Sequence, residues 1–332
     1  MEYVPLAIGL VVLAAAVWLW RRTRGASWWL VRLGRLVLVV PVLSIALVTV
    51  TAGGTLVWYT HRPLPPPVRQ ELFQGVTYLR DVRAEPRPLV IHLVMIDLDA
   101  PGISFFVTPP QPIEGRDLPA RTTSQFLDEF DVQVAINANY FEPWWSRTPW
   151  DYYPHVGDPV TVLGFASSAG EVYAWARWQP TLNLTRDNRA SIGLSPPSDE
   201  VYHAVSGNYL LLSGGQLRGG AARAYQGDRH PRTAVALDEA GETLFLVVVD
   251  GRQPGYSEGV TLPELAAIIQ EYGGYDAINL DGGGSSTLVM AGEGGRPAAL
   301  NTPIDNYLPG RERPVANHLG VRALPLPGGA GP

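Results

Sequence analysis

Gly273-Gly274-Tyr275-Asp276-Ala277-Ile278-Asn279-Leu280-Asp281-Gly282-Gly283-Gly284-Ser285-Ser286 carries a short apolar run straight into an aspartate and a glycine triplet. A run this short, bounded by glycines, reads as a strand buried on both faces. Just upstream, Thr261-Leu262-Pro263-Glu264 has the form of a helix start. Thr caps, Pro suits the first turn, and Glu three after Thr closes a capping box. Leu265, Ile268 and Ile269 form the apolar stripe, and Gly273-Gly274 ends the helix. The order is helix, short loop, buried strand, Asp281.

The same pattern recurs along the chain. Residues 132–136, apolar but for Gln133, give way to Asn137-Ala138-Asn139-Tyr140-Phe141-Glu142, and residues 243–249 give way to Asp250-Gly251-Arg252. His230-Pro231-Arg232-Thr233 instead leads into the apolar run 234–237. Residues 89–98 and 103–107 also read as strands, and Thr122 or Thr123 caps a second helix carrying Phe126, Leu127 and Phe130. The expected fold class is α+β or mixed α/β: a mixed β-sheet with packed helices, its strand ends delivering polar groups to one edge.

Composition narrows the chemistry. Of 332 residues, 46% are hydrophobic and 17% charged, enough to bury a large core. The net charge of −6 argues against a nucleic-acid partner. All 25 basic residues are Arg, so Schiff-base and P-loop lysine chemistry is excluded. There is no Cys, which removes disulfides, thiolate metal sites and Cys nucleophiles. The 30 Pro and 35 Gly imply many loops and tight turns.

The N-terminus predicts a membrane partner. Residues 4–20 and 36–60 are free of charge, and a bilayer core needs about 20 apolar residues in a helix. The segment 21–35 between them carries Arg21, Arg22, Arg24, Arg32 and Arg35 without an acid, so the positive-inside rule places it in the cytoplasm. Trp18, Trp20, Trp28, Trp29, Trp58 and Tyr59 sit where interfacial rings belong. The expectation is a two-helix transmembrane hairpin over 1–60, with everything later exported to the periplasmic or extracellular side. The alternatives are a cleaved signal peptide, for which no small-residue site follows Trp20, and a buried core helix. Residues 61–73, with Pro63, Pro65, Pro66 and Pro67, read as an extended linker. Residues 74–324 form one domain, and 325–332 a flexible tail.

Glycines after Asp281 let an anionic ligand approach bare N–H groups of Gly282, Gly283, Gly284 and Ser285, or they make a plain tight turn. Arg232 and Arg252 present planar forks that suit phosphate or carboxylate, or else a structural ion pair with Asp250. His230 titrates near neutral pH or packs in a turn. Asn137, Asn139 and Asn279 bind sugar hydroxyls or turn backbone, and Glu142 is a further candidate contact. Trp144, Trp145, Trp150, Tyr152 and Tyr153 form an aromatic loop that stacks on sugars, packs on the core or touches a membrane. There is no Gly-x-Ser-x-Gly elbow and no His-Glu-x-x-His. Asp and Asn oxygens leave Ca²⁺ or Mg²⁺ as possible cofactors, with no metal residues assigned.

In order, Ile136-Asn137-Ala138-Asn139-Tyr140-Phe141, His230-Pro231-Arg232-Thr233-Ala234, Asp250-Gly251-Arg252, Gly259-Val260-Thr261-Leu262, Asn279-Leu280-Asp281-Gly282-Gly283-Gly284-Ser285-Ser286 and Arg313-Pro314-Val315 resemble the phosphodiester glycosidase domain family over about 75–324. The chain departs from the family pattern at Tyr140, at Asn208-Tyr209 and at Ala236. The resemblance implies hydrolysis of the sugar C1–O bond of a sugar-1-phosphodiester, with a carbohydrate or sugar-phosphate substrate in an envelope or extracellular glycan. It implies catalytic roles for Asp281, Asp250, Arg232 and Arg252. Substrate contacts fall to Asn137, Asn139, Glu142, His230, Asn279 and the Gly282–Ser285 backbone. Two rival readings use the same residues: a non-catalytic glycan-binding module, and a metal-dependent phosphodiesterase cleaving P–O.

Overall fold

The computed structural model describes residues 3–23, 29–197, 200–223 and 228–328, which fall into two compact units, Met1–Leu64 and Pro65–Pro332.

In the first unit the apolar segments form helices Tyr3–Thr23 and Trp29–Thr60, the latter with Pro41 inside it. They approach closely through glycine. A Cβ on Gly9 would stand 2.8 Å from Val50 Cγ2, and one on Gly53 2.7 Å from the Leu6 nitrogen. The expected transmembrane hairpin at 4–20 and 36–60 is not supported at this level: among the described residues no helix is long and apolar enough to cross a membrane. The side chains of residues 22–39, which hold most of the Arg-rich segment, lie outside the described ones, so neither predicted span is followed unbroken from end to end.

The second unit is built on an eight-stranded sheet. Its strands, in spatial order, are Val68–Phe73, Val76–Arg83, Leu89–Asp97, Thr243–Val249, Arg232–Leu237, Asp276–Asn279, Tyr209–Ser213 and Gln216–Leu217. A five-stranded sheet runs Pro297–Ala299, Leu288–Ala291, Val134–Asn137, His318–Arg322 and Ser104–Val107. A second five-stranded sheet holds Ala166–Ser168, Pro180–Leu184 and His203–Ser206 among its strands. All pairings between the strands of these sheets are antiparallel. The class is therefore α+β. The mixed-sheet α/β expectation is corrected, because hairpins and long loops replace the helical crossovers that parallel strands require.

Period-two alternation explains the unbroken apolar runs. Leu244, Leu246 and Val248 face the core shared with Ile136, Leu288 and Leu319 of the five-stranded sheet, while Phe245, Val247 and Val249 face helix Leu262–Glu271. That helix is capped by Thr261, whose side chain and Glu264 form the predicted capping box, and it buries Leu265, Ile268 and Ile269. Thr122 caps helix Thr123–Phe130, which packs Phe126 and Leu127 on Ala135 and Val289.

The linker boundary is corrected too. Val68–Phe73 lies inside the stretch read as spacer but is the outermost strand of the large sheet, with Leu72 and Phe73 buried. As an edge strand it carries Arg69, Gln70 and Glu71 toward solvent, so its sequence looks like linker. At the other end, the Gln74 side chain donates to the Pro325 carbonyl, at the start of the expected tail.

Candidate active site

The two sheets meet where their strands end, and Asn137 is the joint. Its Nδ2 donates to the Asp281 carbonyl at 2.6 Å, and its Oδ1 accepts from Thr233 Oγ1 and from the Thr287 N–H, each at 3.1 Å. Asn139 is spent in the same way. Its Nδ2 donates to the Leu163 and Phe165 carbonyls and to Ser206 Oγ, and its Oδ1 accepts from the Ser206 N–H and from Asn317 Nδ2. Both residues are fully buried. Both side-chain amides are taken up by bonds within the scaffold. Where a strand ladder stops, backbone groups lose partners, and amides are the side chains that replace them. Asn279 is likewise buried, its Nδ2 shared by Tyr140 Oη, Asn208 Oδ1 and the Leu280 carbonyl.

Asp250 lies deep in the fold. It is 1% exposed and accepts from His92 Nε2 at 3.2 Å, from Asn301 Nδ2 at 3.1 Å and from the Thr302 N–H at 3.1 Å. His92 is held in turn by Tyr78 Oη at 2.8 Å. A carboxylate with this many donors is a structural anchor of the 301–302 loop. Glu142 is exposed on the short strand Phe141–Glu142, and no hydrogen bond ties its side chain to the groups described below.

Asp281 has the opposite character. It follows strand Asp276–Asn279, with its N–H bound to the Ala138 carbonyl, and is only 8% exposed. Burial pushes its carboxyl up to about 6, against the opposing pull of a Ser285 hydrogen bond, the Arg313 charge and the Gly282 N–H. Arg313 donates to Ser285 Oγ at 3.2 Å and to Asp305 Oδ1 at 2.7 Å. Asp305 also pairs with Arg311 at 3.4 Å. A carboxyl poised near neutrality therefore sits behind a Ser–Arg–Asp chain.

The glycine loop is a short turn, Gly283–Ser285, that brings backbone against guanidinium. Gly283 has φ +65°, and a Cβ there would stand 3.1 Å from Arg252 Nη2. The expected N–H cradle is partly corrected, because Gly283 N–H is bound to the Pro231 carbonyl and Ser285 N–H to the Gly282 carbonyl. Gly284 packs against the Arg313 guanidinium and Asp305.

Of the two predicted arginines, Arg232 is tied to backbone carbonyls. Its Nε donates to the Val260 carbonyl and its Nη2 to the Asp228 carbonyl, each at 3.1 Å, with its stem beside Gly282. Arg252 makes no ion pair with any described residue. Its Nη2 lies 3.4 Å from His230 Nδ1, and its guanidinium carbon lies 5.5 Å from the Tyr307 ring centre. Burial and the charges of Arg252 and Arg232 push the His230 imidazole below its ordinary value, so it is neutral at pH 7.

The aromatic loop supplies one wall. Trp144 lies over Arg313 at 4.6 Å, Tyr152 over Arg311 at 4.2 Å, and Trp145 stacks on Tyr153 at 6.2 Å. The structure thus brings together Asp281, Ser285, the glycine turn, Arg252, His230 and the edge of Arg232. It adds Arg313, Asp305, Tyr307 and Asn208, to which the sequence reading gave no role. Arg313-Pro314-Val315 was a visible motif, and its arginine was the signal available. Among the described residues no group of three or more His, Asp or Glu is placed to hold a metal ion.

A buried carboxyl near neutrality, close to Arg313 and to a glycine turn that abuts Arg252, is an acid–base site suited to an anionic ligand. The sequence profile of the phosphodiester glycosidase family matches residues 130–322, and the chain belongs to that family. The zebrafish N-acetylglucosamine-1-phosphodiester α-N-acetylglucosaminidase catalytic domain, auto-inhibited by its pro-peptide, has a similar fold: TM-score 0.55 and 20% identity, over 79% of this chain and 85% of that one. A hypothetical protein from Synechocystis is similar at TM-score 0.52 and 17% identity, over 77% of this chain and 64% of that one. No curated protein sequence matches the chain.

Proposed function

We propose that this chain hydrolyses the sugar C1–O bond of a sugar-1-phosphodiester. Asp281 is the base, and Arg252 and Arg313 hold the phosphate. The observation that carries this reading is a buried carboxyl raised to about 6, followed two residues on by Gly283, whose backbone abuts Arg252, a guanidinium that has no acid of its own among the described residues.

The chemistry follows from those groups. Asp281 is ionised above about pH 6 and takes the proton of a water attacking C1. The new C1–OH bond forms as the C1–O bond to phosphorus breaks, and the phosphate monoester departs with the electron pair. Phosphate is a good leaving group, so the main demand is charge stabilisation, which the two arginines supply. Trp144 and Tyr307 offer ring faces beside them for the sugar. The test is turnover of synthetic sugar-1-phosphodiesters by the purified full chain. Asp281→Asn and Arg252→Ala are each expected to lower kcat/KM by roughly 10²–10⁴-fold with the fold intact. Near-normal turnover by either variant refutes that assignment.

The two N-terminal helices anchor the chain in a membrane, with the domain on the periplasmic or extracellular side facing an envelope or extracellular glycan. In support, Ile8, Leu10, Val11, Ile45, Leu47 and Val48 are exposed, and the Ser44, Thr49, Thr51 and Thr55 hydroxyls are satisfied by carbonyls four residues back. Such surfaces suit lipid better than water. Protease treatment of intact cells, with any outer membrane permeabilised, should digest the domain; full protection contradicts this placement.

A further inference from the structure

Three residues other than glycine lie in left-handed backbone around Arg252: Arg252 itself at φ +58°, Asn306 at +51° and Tyr307 at +60°. Left-handed backbone disfavours residues with a Cβ, and a bulky aromatic there is a marked outlier. Two of the three, Arg252 and Tyr307, stack on one another across the site. Tyr307 is 71% exposed, so burial is not what holds it there. The turn is braced instead by its neighbours. Asn306 Nδ2 donates to Asp305 Oδ2 at 3.1 Å, and Asn306 Oδ1 accepts from Ser146 Oγ of the aromatic loop. Arg311 Nη1 donates to the Pro149 carbonyl of the same loop at 2.8 Å, while its Nε pairs with Asp305.

The cost of that backbone needs a return, and Arg252 indicates what it is. A half-buried guanidinium without a carboxylate partner tends to swing out to water or to find an acid. Asp305 is the acid at hand, and Arg313 and Arg311 already occupy it. The glycine turn closes one side, with Gly283 against the Arg252 fork, and Tyr307 covers another. We infer that Tyr307 is a positioning residue: its ring, fixed by the left-handed Asn306-Tyr307 turn, keeps Arg252 unpaired and aimed at an incoming phosphate. The role rests on the phosphate reading of the site given above, but it concerns binding and does not depend on which ester is cleaved. It assigns a function to a residue outside every polar motif of the sequence.

The test uses inorganic phosphate as probe, titrated into the purified full chain by calorimetry at pH 7 and low salt. Tyr307→Ala is expected to weaken phosphate binding by roughly 3- to 30-fold, the range of a partly desolvated cation–aromatic contact. Tyr307→Phe keeps the ring and is expected to stay within about twofold of wild type, which separates stacking from any role of the hydroxyl. Arg252→Ala should abolish most of the affinity, and Tyr307→Ala on that background should then cost nothing more. Three results overturn the inference: wild type that does not bind phosphate, equal weakening by Ala and Phe, or an undiminished Tyr307→Ala effect without Arg252. If phosphate binds as expected while no sugar-1-phosphodiester is turned over, the catalytic reading fails and the positioning pair stands.

Discussion

Replacing Asp281 by Asn isolates the cost of keeping that carboxyl buried. Its ordinary value of 3.8 is raised to about 6 in the fold. The folded state therefore prefers the protonated form. Stability from this group is fully present below pH 3.8 and is lost as pH rises through about 6. The difference, about 2.2 in pKa, corresponds to ~3 kcal/mol of destabilisation once the group is ionised. A neutral asparagine does not carry that penalty. The variant should thus be more stable than wild type by up to ~3 kcal/mol at pH 8, or roughly 5–10 °C in Tm for a domain of this size. The advantage should shrink steadily toward pH 4, where wild-type Asp281 is protonated as well. Turnover should be lost across the whole range. The assay is thermal unfolding of both proteins by near-UV circular dichroism from pH 4 to 8; taking the difference cancels the other titrating groups. A gap that does not change with pH, or a variant less stable than wild type at pH 8, refutes the account of Asp281.

Other substitutions separate site from scaffold. Asp250→Ala leaves His92, Asn301 and the Thr302 N–H without their acceptor, and denaturant unfolding should show a loss of ~3–5 kcal/mol. Ser285→Ala removes a hydrogen bond that favours the ionised Asp281; hydrogen bonds to charged groups are worth ~1.5–3 kcal/mol, so the acidic limb of the kcat/KM–pH profile should move up from about 6 to roughly 7–8. Gly283→Ala places a Cβ at φ +65° and 3.1 Å from Arg252, so it should cost ~1–2 kcal/mol of stability and raise KM by displacing the guanidinium.

Much of the scaffold could be read from local pattern. Thr261-Leu262-Pro263-Glu264 has one structural meaning, and the helix forms where it says. The run 243–249 is a strand end to end. Val68–Phe73 escaped because this edge strand buries only Leu72 and Phe73 and carries three polar residues, Arg69, Gln70 and Glu71, in a row. The site was harder, because a polar residue after an apolar run has two uses. Asp250, Asn137 and Asn139 end such runs as firmly as Asp281 does, yet they close the seams between sheets. Only the count of partners around each one separates the two uses, and that count is a property of the fold. Arg313, Asp305 and Tyr307 lie in a loop without periodicity, so nothing local linked them to Asp281. The left-handed Tyr307 is invisible in sequence, since a tyrosine beside an asparagine carries no sign of its backbone angle.

Cleavage in ¹⁸O-labelled water tests the central claim most directly. A sugar-1-phosphodiester is turned over by the purified full chain, and both products are examined by mass spectrometry. Attack on C1 with Asp281 as base puts the label in the released sugar and leaves the phosphate monoester unlabelled. Label in the phosphate would mean that the P–O bond is the one broken, and would contradict the assignment of Asp281, Arg252 and Arg313 made here.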